Sequence, residues 1–318
     1  MHDIAVSSER SNAPSYVLFE NMWNKKDYAD AIVVEALTGQ SKWLATEQIA
    51  VTASLACAYM ITFMEAISKL HIGVQDCKDS DGEGLSYTLD PVDEAAALIV
   101  GSMGGHEFGG ATDFDDGQLM YSLANEHAFD FGTRNSEGYA VVNKEIIDLL
   151  LAARAEIDVL DCENLEISVN LLEKLLTVGI VQAGISAAIK NEGLSAISTA
   201  TSIAEGELLM YSVLPYFSAN TPGSADIVKQ NMVWQSNVKP VKAGSNTVAA
   251  AFGKGFTYAI GLRCSYLGTA RGVDPCVGIP KNDGTAGWAS KPRSAGTVSA
   301  LSLGALFAAL VAGFVTWL

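Results

Sequence analysis

The last twenty-two residues, 297–318, contain no charged side chain and read TVSALSLGALFAALVAGFVTWL. As a helix this segment would rise ~33 Å at ~1.5 Å per residue, which is enough to cross the hydrocarbon core of a bilayer. It has no polar face of the kind that a helix on the surface of a globular body presents to water. We therefore expect a folded body followed by a C-terminal membrane-attachment helix.

Two kinds of membrane attachment fit this tail. Residues 281–296 form a polar spacer, and no basic residue follows the tail. Small residues, a spacer and a terminal apolar segment are the recognition pattern for a glycosylphosphatidylinositol (GPI) anchor. The alternative is a plain transmembrane helix over 297–318. In the first case the lipid would be attached at Asn282, Asp283 or Gly284.

The N-terminal residues do not match a secretory leader. Residues 1–26 contain no basic start followed by an apolar run, so no signal peptide is visible. A lipid-anchored protein of the outer surface must enter the secretory route, so either the N-terminus of this chain is incomplete, which we expect, or the tail inserts into the membrane after translation. The expected location is the cell surface or the extracellular face of the plasma membrane.

The formal charge of −16 limits the classes of ligand. Nucleic acid binding needs clustered Lys and Arg, so we expect no nucleic-acid partner. An acidic surface attracts cations, either as counterions or as specific ligands. Because 49% of the residues are hydrophobic and only 18% are charged, the chain has enough apolar residues for a folded core.

Helical periodicity dominates the body of the chain, and strand-like alternation is scarce. Residues 45–70 read as a long buried helix, and apolar stripes at helical spacing run through 143–157 and 165–190. The predicted fold class is therefore mainly α. The stripe in 143–157 consists of Ile146, Ile147, Leu150, Leu151 and Ile157.

A weak internal repeat divides the body in two. Residues 116–123 (DGQLMYSL) resemble residues 205–213 (EGELLMYSV) with one residue inserted. Two similar helical repeat units would explain this resemblance, and chance similarity of short segments is the alternative. The predicted organisation is an N-terminal extension, two helical repeats, a polar spacer and the hydrophobic tail, at 1–44, 45–164, 165–280, 281–296 and 297–318.

The densest group of metal-ligating side chains lies between residues 101 and 130. Two of the four histidines occur here, each beside a glutamate, and three aspartates, a tyrosine and several glycines lie between these histidines. Carboxylate and phenolate oxygens suit the hard ferric ion, and imidazole can complete its coordination. The candidate ligands are His106, Glu107, Asp113, Asp115, Asp116, Tyr121, Glu126 and His127.

Structural roles remain open for the same residues. An aspartate before the next helix can act as its N-cap. His127 shares an apolar helical stripe with Met120 and Leu123, which is the usual position of a core histidine. Calcium is the alternative ion, but the aspartates lack the glycine and glutamate spacing of a helix-loop-helix calcium site.

Neither catalytic motifs nor a cysteine-based metal site accompany these ligands. The sequence contains no GxSxG, GxxxxGK[ST], HExxH or CxxC motif, so we expect that the protein is not an enzyme. The five cysteines lie far apart along the chain. In an oxidising compartment four of them can form two disulfides and leave one free, with a pairing that the sequence does not determine.

A set of short segments is distributed over residues 45–270: 101–103 (GSM), 117–124 (GQLMYSLA), 142–146 (VNKEI), 161–162 (DC), 206–213 (GELLMYSV) and 262–264 (LRC). These segments resemble the repeat unit of the algal iron-assimilating surface proteins, which include the high-CO₂-inducible periplasmic proteins and the phytotransferrins. The resemblance implies an extracellular, membrane-tethered protein involved in iron assimilation. Residues 126–128 (EHA) stand where the family has an Arg-Cys pair, so the disulfide pattern of the family is not expected to hold here.

The sequence thus predicts non-catalytic binding of ferric iron at the cell surface for delivery to an uptake machinery. Tyr121 and the carboxylates would supply charged oxygens, and His106 or His127 would complete the coordination. The alternative is a structural or adhesive surface protein without a metal.

Overall fold

Fourteen α-helices build the part of the chain that the computed structural model describes, which comprises residues 2–5, 13–43, 45–80, 85–100 and 119–280. These ranges contain no β-strand, and β-type pairing within them is limited to two isolated bridges. The predicted mainly α class is therefore confirmed. The helices are α1 (His2–Ala5), α2 (Tyr16–Trp23), α3 (Tyr28–Leu37), α4 (Thr46–Ala56), α5 (Phe63–Asp79), α6 (Leu85–Val100), α7 (Met120–Asp130), α8 (Val141–Asp158), α9 (Cys162–Leu175), α10 (Thr177–Asn191), α11 (Thr201–Tyr211), α12 (Leu214–Asn220), α13 (Pro222–Met232) and α14 (Ser245–Gly255).

The helices of the body share one large hydrophobic core. The chain divides into a compact unit, Met1–Lys281, and a second unit, Asn282–Leu318. The second unit contains the predicted spacer and attachment helix, which lie outside the described residues. Within the first unit, fully buried phenylalanines such as Phe63, Phe131 and Phe252 come from both predicted repeats and belong to the same core.

The two segments that suggested an internal repeat occupy different positions in their helices. Met120 and Tyr121 form the first turn of α7, whereas the matching Met210 and Tyr211 form the last turn of α11. Equivalent repeats would place the pair at the same end of the helix. Two repeats with a boundary after residue 164 therefore stay a prediction.

The stripe predicted for residues 143–157 is confirmed in part. Ile146, Leu150 and Ile157 of α8 are buried, but Ile147 is only half-buried and Leu151 is 38% exposed. Adjacent residues in a helix are separated by about 100° around its axis. The face that buries Ile146 and Leu150 therefore leaves their neighbours Ile147 and Leu151 nearer the surface.

The long helices expected from the sequence are interrupted. Between α4 and α5 the helix widens into a π-helical segment, Cys57–Thr62, where the Thr62 hydroxyl donates to the carbonyl of Cys57 at 2.9 Å. The helix expected over 165–190 is divided at Leu176 into α9 and α10. Periodicity alone misses both interruptions, because neither contains Gly or Pro.

Within the described part of the chain, two helical stretches are long and apolar enough to cross a membrane, judged by length and composition alone. They are Thr46–Asp79 and Cys162–Asn191, with 67% and 89% of their most apolar windows buried inside the body. Such burial is typical of core helices, as predicted for 45–70.

The described residues form two disulfides, of which one joins two α-helices. Cys77 at the end of α5 is bonded to Cys162 at the start of α9, and Cys264 is bonded to Cys276. Cys57 is free. The expectation of two disulfides and one free cysteine is confirmed.

α7 and α10 approach each other closely at Gly179. A Cβ atom added there would lie 2.9 Å from the backbone N and Cα of Ala124, and close-packed helices must move apart to accept it. We expect Gly179→Ala to lower the free energy of unfolding by about 1–3 kcal/mol, measured by urea denaturation. Gly223→Ala is the control, because its added Cβ meets nothing within 4 Å outside its own helix. Equal losses in the two variants would contradict the close approach.

Candidate functional site

Most of the ligands predicted from the sequence lie outside the described residues, and so do the three candidate sites of lipid attachment. The remaining three predicted ligands, Tyr121, Glu126 and His127, lie on α7. Outside the described residues are His106, Glu107, Asp113, Asp115, Asp116, Asn282, Asp283 and Gly284.

Tyr121 is buried at the start of α7. Burial raises the pKa of its phenol, and a hydrogen bond with Asn125 acts in the opposite direction. Its backbone carbonyl accepts a hydrogen bond of 2.8 Å from the side-chain amide of Asn143 on α8. These contacts tie Tyr121 to the α7–α8 junction.

His127 is 3% exposed, and its Nε2 atom has no hydrogen-bond partner within the described ranges. Burial lowers the pKa of the imidazole to about 4; the charge of Lys190 lowers it further, and that of Asp130 opposes the shift. A neutral imidazole can coordinate a metal, but its surroundings here are those of a core residue. The expected core stripe of Met120, Leu123 and His127 is confirmed.

Glu126 is exposed, and its negative charge acts on Tyr59 and on Glu205. Burial raises the pKa of Tyr59, and the charges of Glu126 and Glu205 raise it further. Tyr121, Glu126 and His127 thus have different surroundings. Among the described residues, no group of three or more His, Cys, Asp and Glu side chains is arranged to hold a metal ion.

Glu205 and Glu207 of the second predicted repeat contact residues outside the predicted ligand set. Glu205 lies 3.9 Å from Lys190, and burial is the main cause of its raised pKa. Glu207 is 2% exposed; it forms an ion pair of 2.6 Å with Lys42 and accepts a hydrogen bond from the backbone N–H of Trp234. These contacts join the chain before α4 to α11 and to the segment after α13, and loss of Lys42 would leave the buried carboxylate without its counter-charge.

Glu173 of α9 connects an imidazole and a phenol. Its Oε2 atom lies 3.0 Å from Nε2 of His71 on α5. Its Oε1 atom accepts a hydrogen bond of 3.0 Å from the hydroxyl group of Tyr216 on α12. The side chains of His71 and Glu173 are only 9% and 13% exposed, and Tyr216 is buried. We refer to these three residues as the Glu173 cluster.

The packing of α5 against α9 positions the first two members of this cluster. The Cys77–Cys162 disulfide joins the C-terminal turn of α5 to the first residue of α9. His71 precedes this disulfide on α5 and Glu173 follows it on α9, so antiparallel packing of the two helices brings the side chains together.

Tyr216 is held by the N-terminal segment. The ring of Phe19 on α2 packs edge-on against the ring of Tyr216, with 5.5 Å between the centroids. Burial and the negative charge of Glu173 raise the pKa of Tyr216 well above its usual value, while Ser15 acts in the opposite direction. The phenol therefore keeps its proton at neutral pH and donates a hydrogen bond to Glu173.

A cleft of about 260 Å³ opens beside the Glu173 cluster. It gives solutes access to the carboxylate and the phenol, and apolar residues of α2 and of the segment after α14 form part of its wall. Its polar lining consists of Ser15, Asn170, Glu173, Lys174, Thr177 and Tyr216.

A larger groove of about 730 Å³ lies along α13 and α14. Its lining is dominated by small and hydroxyl-bearing residues, with Lys254 as its charged side chain. No carboxylate or imidazole occurs among those lining residues, so the groove offers no set of donors for a cation. The Glu173 cluster is the better candidate.

No local sequence pattern predicts this cluster. His71 and Glu173 are separated by 102 residues, and Tyr216 lies 43 residues further along. The only available hint is that Glu173 is a charged residue on a helix rich in leucine. Comparison of the chain with protein-family models, with curated proteins and with solved structures finds no match.

Proposed function

We propose that the protein binds ferric iron at the cell surface for assimilation, without catalysing a reaction, and that the Glu173 cluster supplies its ligands. The observation that carries the proposal is the contact of one carboxylate with both a phenol and an imidazole, each at 3.0 Å. Hard cations prefer carboxylate and phenolate oxygens, and iron also accepts imidazole.

Two ligands placed ~2.1 Å from an ion and at right angles lie ~3.0 Å apart. Each of the two contacts of Glu173 has this length, one through Oε2 to His71 and the other through Oε1 to Tyr216. Binding of one ferric ion by all three side chains would require His71 and Tyr216 to turn from these separate oxygens toward a common point. The ion would displace the hydroxyl proton of Tyr216, so binding of each ion releases at least one proton.

Three further features support the binding of a cation at the cell surface. Disulfides such as Cys77–Cys162 and Cys264–Cys276 form and persist in oxidising compartments. The net charge of −16 favours cations as ligands. The uncharged tail over 297–318 would attach the body to the membrane as a GPI signal or as a transmembrane helix, next to an uptake machinery.

Ferric titration of the purified full chain tests this proposal. With iron supplied as its nitrilotriacetate complex, we expect a visible phenolate-to-iron absorption band. Tyr216→Phe should lose most of this band, because the variant lacks the phenolate oxygen. Its affinity for iron, measured by equilibrium dialysis, should fall by about 10–100-fold or more.

Tyr121→Phe is the matched control, since Tyr121 is the ligand predicted from the sequence. We expect its band and its affinity to equal those of the wild type. Loss of the band in Tyr121→Phe alone would assign the site to α7 and the acidic stretch before it. A wild-type protein that takes up no iron would contradict iron binding at either site and would favour a structural or adhesive surface protein.

A further inference from the structure

The loop closed by the Cys264–Cys276 disulfide contains a two-residue β-hairpin. Ala270 and Val273 exchange both backbone hydrogen bonds, at 3.1 and 2.8 Å, and Arg271 and Gly272 form the tip between them. Both tip residues have positive φ angles, 51° and 80°, as a type I′ turn requires. The backbone pairing and the disulfide together fix the shape of this loop.

Arginine is an unusual residue at the first position of such a tip. Type I′ turns favour Asn, Asp or Gly there, because a β-carbon crowds the backbone when φ is positive. Burial gives Arg271 no compensation, since its side chain is 62% exposed. Val241, whose φ is also positive, is by contrast 2% exposed and contributes to the core. An unfavourable backbone conformation that packing does not explain points to a function of the side chain.

Arg271 lies against the C-terminal turn of α7. The backbone N–H of Thr269 donates to the carbonyl of Phe131 at 3.0 Å, which holds the loop on this end of the helix. The guanidinium group of Arg271 lies 3.7 Å from the carboxylate of Asp130. This contact is longer than a hydrogen bond, and both side chains are more than a third exposed, so it orients the arginine but stabilises the fold little. A carboxylate of a partner can replace it or share it.

An exposed aromatic ring accompanies these two charges. Phe129, which precedes Asp130 on α7, is 69% exposed, and the guanidinium group of Arg134 lies 4.9 Å from its ring centre. Aromatic and arginine side chains are enriched among the residues that dominate binding at protein–protein interfaces. We refer to Arg271, Asp130, Phe129 and Arg134 as the Arg271 surface.

The charges of the chain are unevenly distributed. Residues 222–280 contain six Lys and Arg residues and two Asp residues, a formal charge of +4 within a chain of −16. An acidic partner is therefore repelled less by this part of the chain than the net charge suggests.

We propose that the Arg271 surface binds an acidic segment of a partner protein, in which a carboxylate pairs with Arg271 and an apolar side chain packs on Phe129. The planar guanidinium group can hold a carboxylate through two parallel hydrogen bonds. The hairpin and the disulfide position the arginine before binding, which reduces the conformational entropy that binding costs. A bilayer of anionic lipids fits this surface less well, because Asp130 beside the arginine repels its headgroups.

Binding of a random copolymer of glutamate and tyrosine to the full chain tests this proposal, since the copolymer presents carboxylates beside aromatic rings. Its affinity is measured by biolayer interferometry at low salt. We expect Arg271→Gln to weaken binding about tenfold. Arg271→Lys should recover only part of this loss, because lysine lacks the planar fork of donors. Arg263→Gln is the matched control at an exposed arginine just before the same disulfide, and it should bind as the wild type does.

A second variant separates binding from a structural role of Arg271. Arg271→Asn places a favoured residue at the tip, so its midpoint of urea denaturation should not fall below that of the wild type, although it binds the copolymer as weakly as Arg271→Gln. A lower midpoint would show that the arginine stabilises the fold and would overturn the inference. Unchanged binding in Arg271→Gln, or an equal loss in Arg263→Gln, would overturn it as well.

The remaining outcomes concern the class of partner. A wild-type protein that binds phosphatidylserine vesicles but not the copolymer would assign the surface to a membrane and overturn the inference, and a wild type that binds neither would overturn it too. None of these results bears on iron binding, because the Arg271 surface shares no residue with the Glu173 cluster.

Discussion

Replacement of both Cys77 and Cys162 by alanine is expected to lower the free energy of unfolding by about 4–5 kcal/mol. The disulfide joins residues that are 85 positions apart. Without it the unfolded chain gains the entropy of a long open loop, and the chain-entropy relation assigns about 4–5 kcal/mol to a loop of this length. Replacement of both residues leaves no unpaired thiol. Urea denaturation of the variant and the wild type measures the difference.

The second disulfide provides the comparison for this prediction. Cys264 and Cys276 are only 12 residues apart, so their double alanine variant should lose about 3 kcal/mol by the same relation. The long-range disulfide also joins the helices that carry His71 and Glu173. A larger loss for the short disulfide than for the long one would contradict the entropic account and would point to packing around Cys264 as the dominant contribution.

Local periodicity predicts the helices but not their packing partners. Apolar spacing was enough for the mainly α class, because each helix must hide one stripe of side chains whatever its neighbour is. It misassigned Ile147 and Leu151, since runs of adjacent apolar residues define the direction of a stripe only loosely. The break at Leu176 depends on tertiary contacts that short-range patterns do not contain.

The position of the candidate site could not be predicted from the sequence, for a related reason. Clustering along the chain directs attention to residues 101–130, most of which lie outside the described part of the chain, whereas the donors of the Glu173 cluster come from α5, α9 and α12. A helix places residues of one face at intervals of three or four, so donors from different helices share no fixed spacing. The ligand types expected from the sequence, a phenol with carboxylates and an imidazole, recur in the Glu173 cluster at other positions, and metal binding by either set of residues stays a prediction.

The buried histidine of α7 leads to the second large effect, on stability in acid. The ordinary pKa of histidine is 6.5, and burial lowers that of His127 to about 4 in the folded protein. Between these values the unfolded chain binds a proton that the folded protein does not, so stability falls as the pH falls. Above pH 6.5 this loss is absent. At pH 4 it reaches about 3 kcal/mol, because each unit of pKa difference is worth about 1.4 kcal/mol.

His127→Leu isolates this contribution, because leucine fills a similar volume and carries no proton. We expect the free energy of unfolding of the wild type, measured by urea denaturation from pH 7 to pH 4, to fall by about 3 kcal/mol more than that of the variant. The carboxylates titrate in both proteins and cancel in the difference. Parallel pH profiles would mean that His127 is protonated as readily in the folded protein as in the unfolded chain, and its burial between α7 and α10 would have to be abandoned.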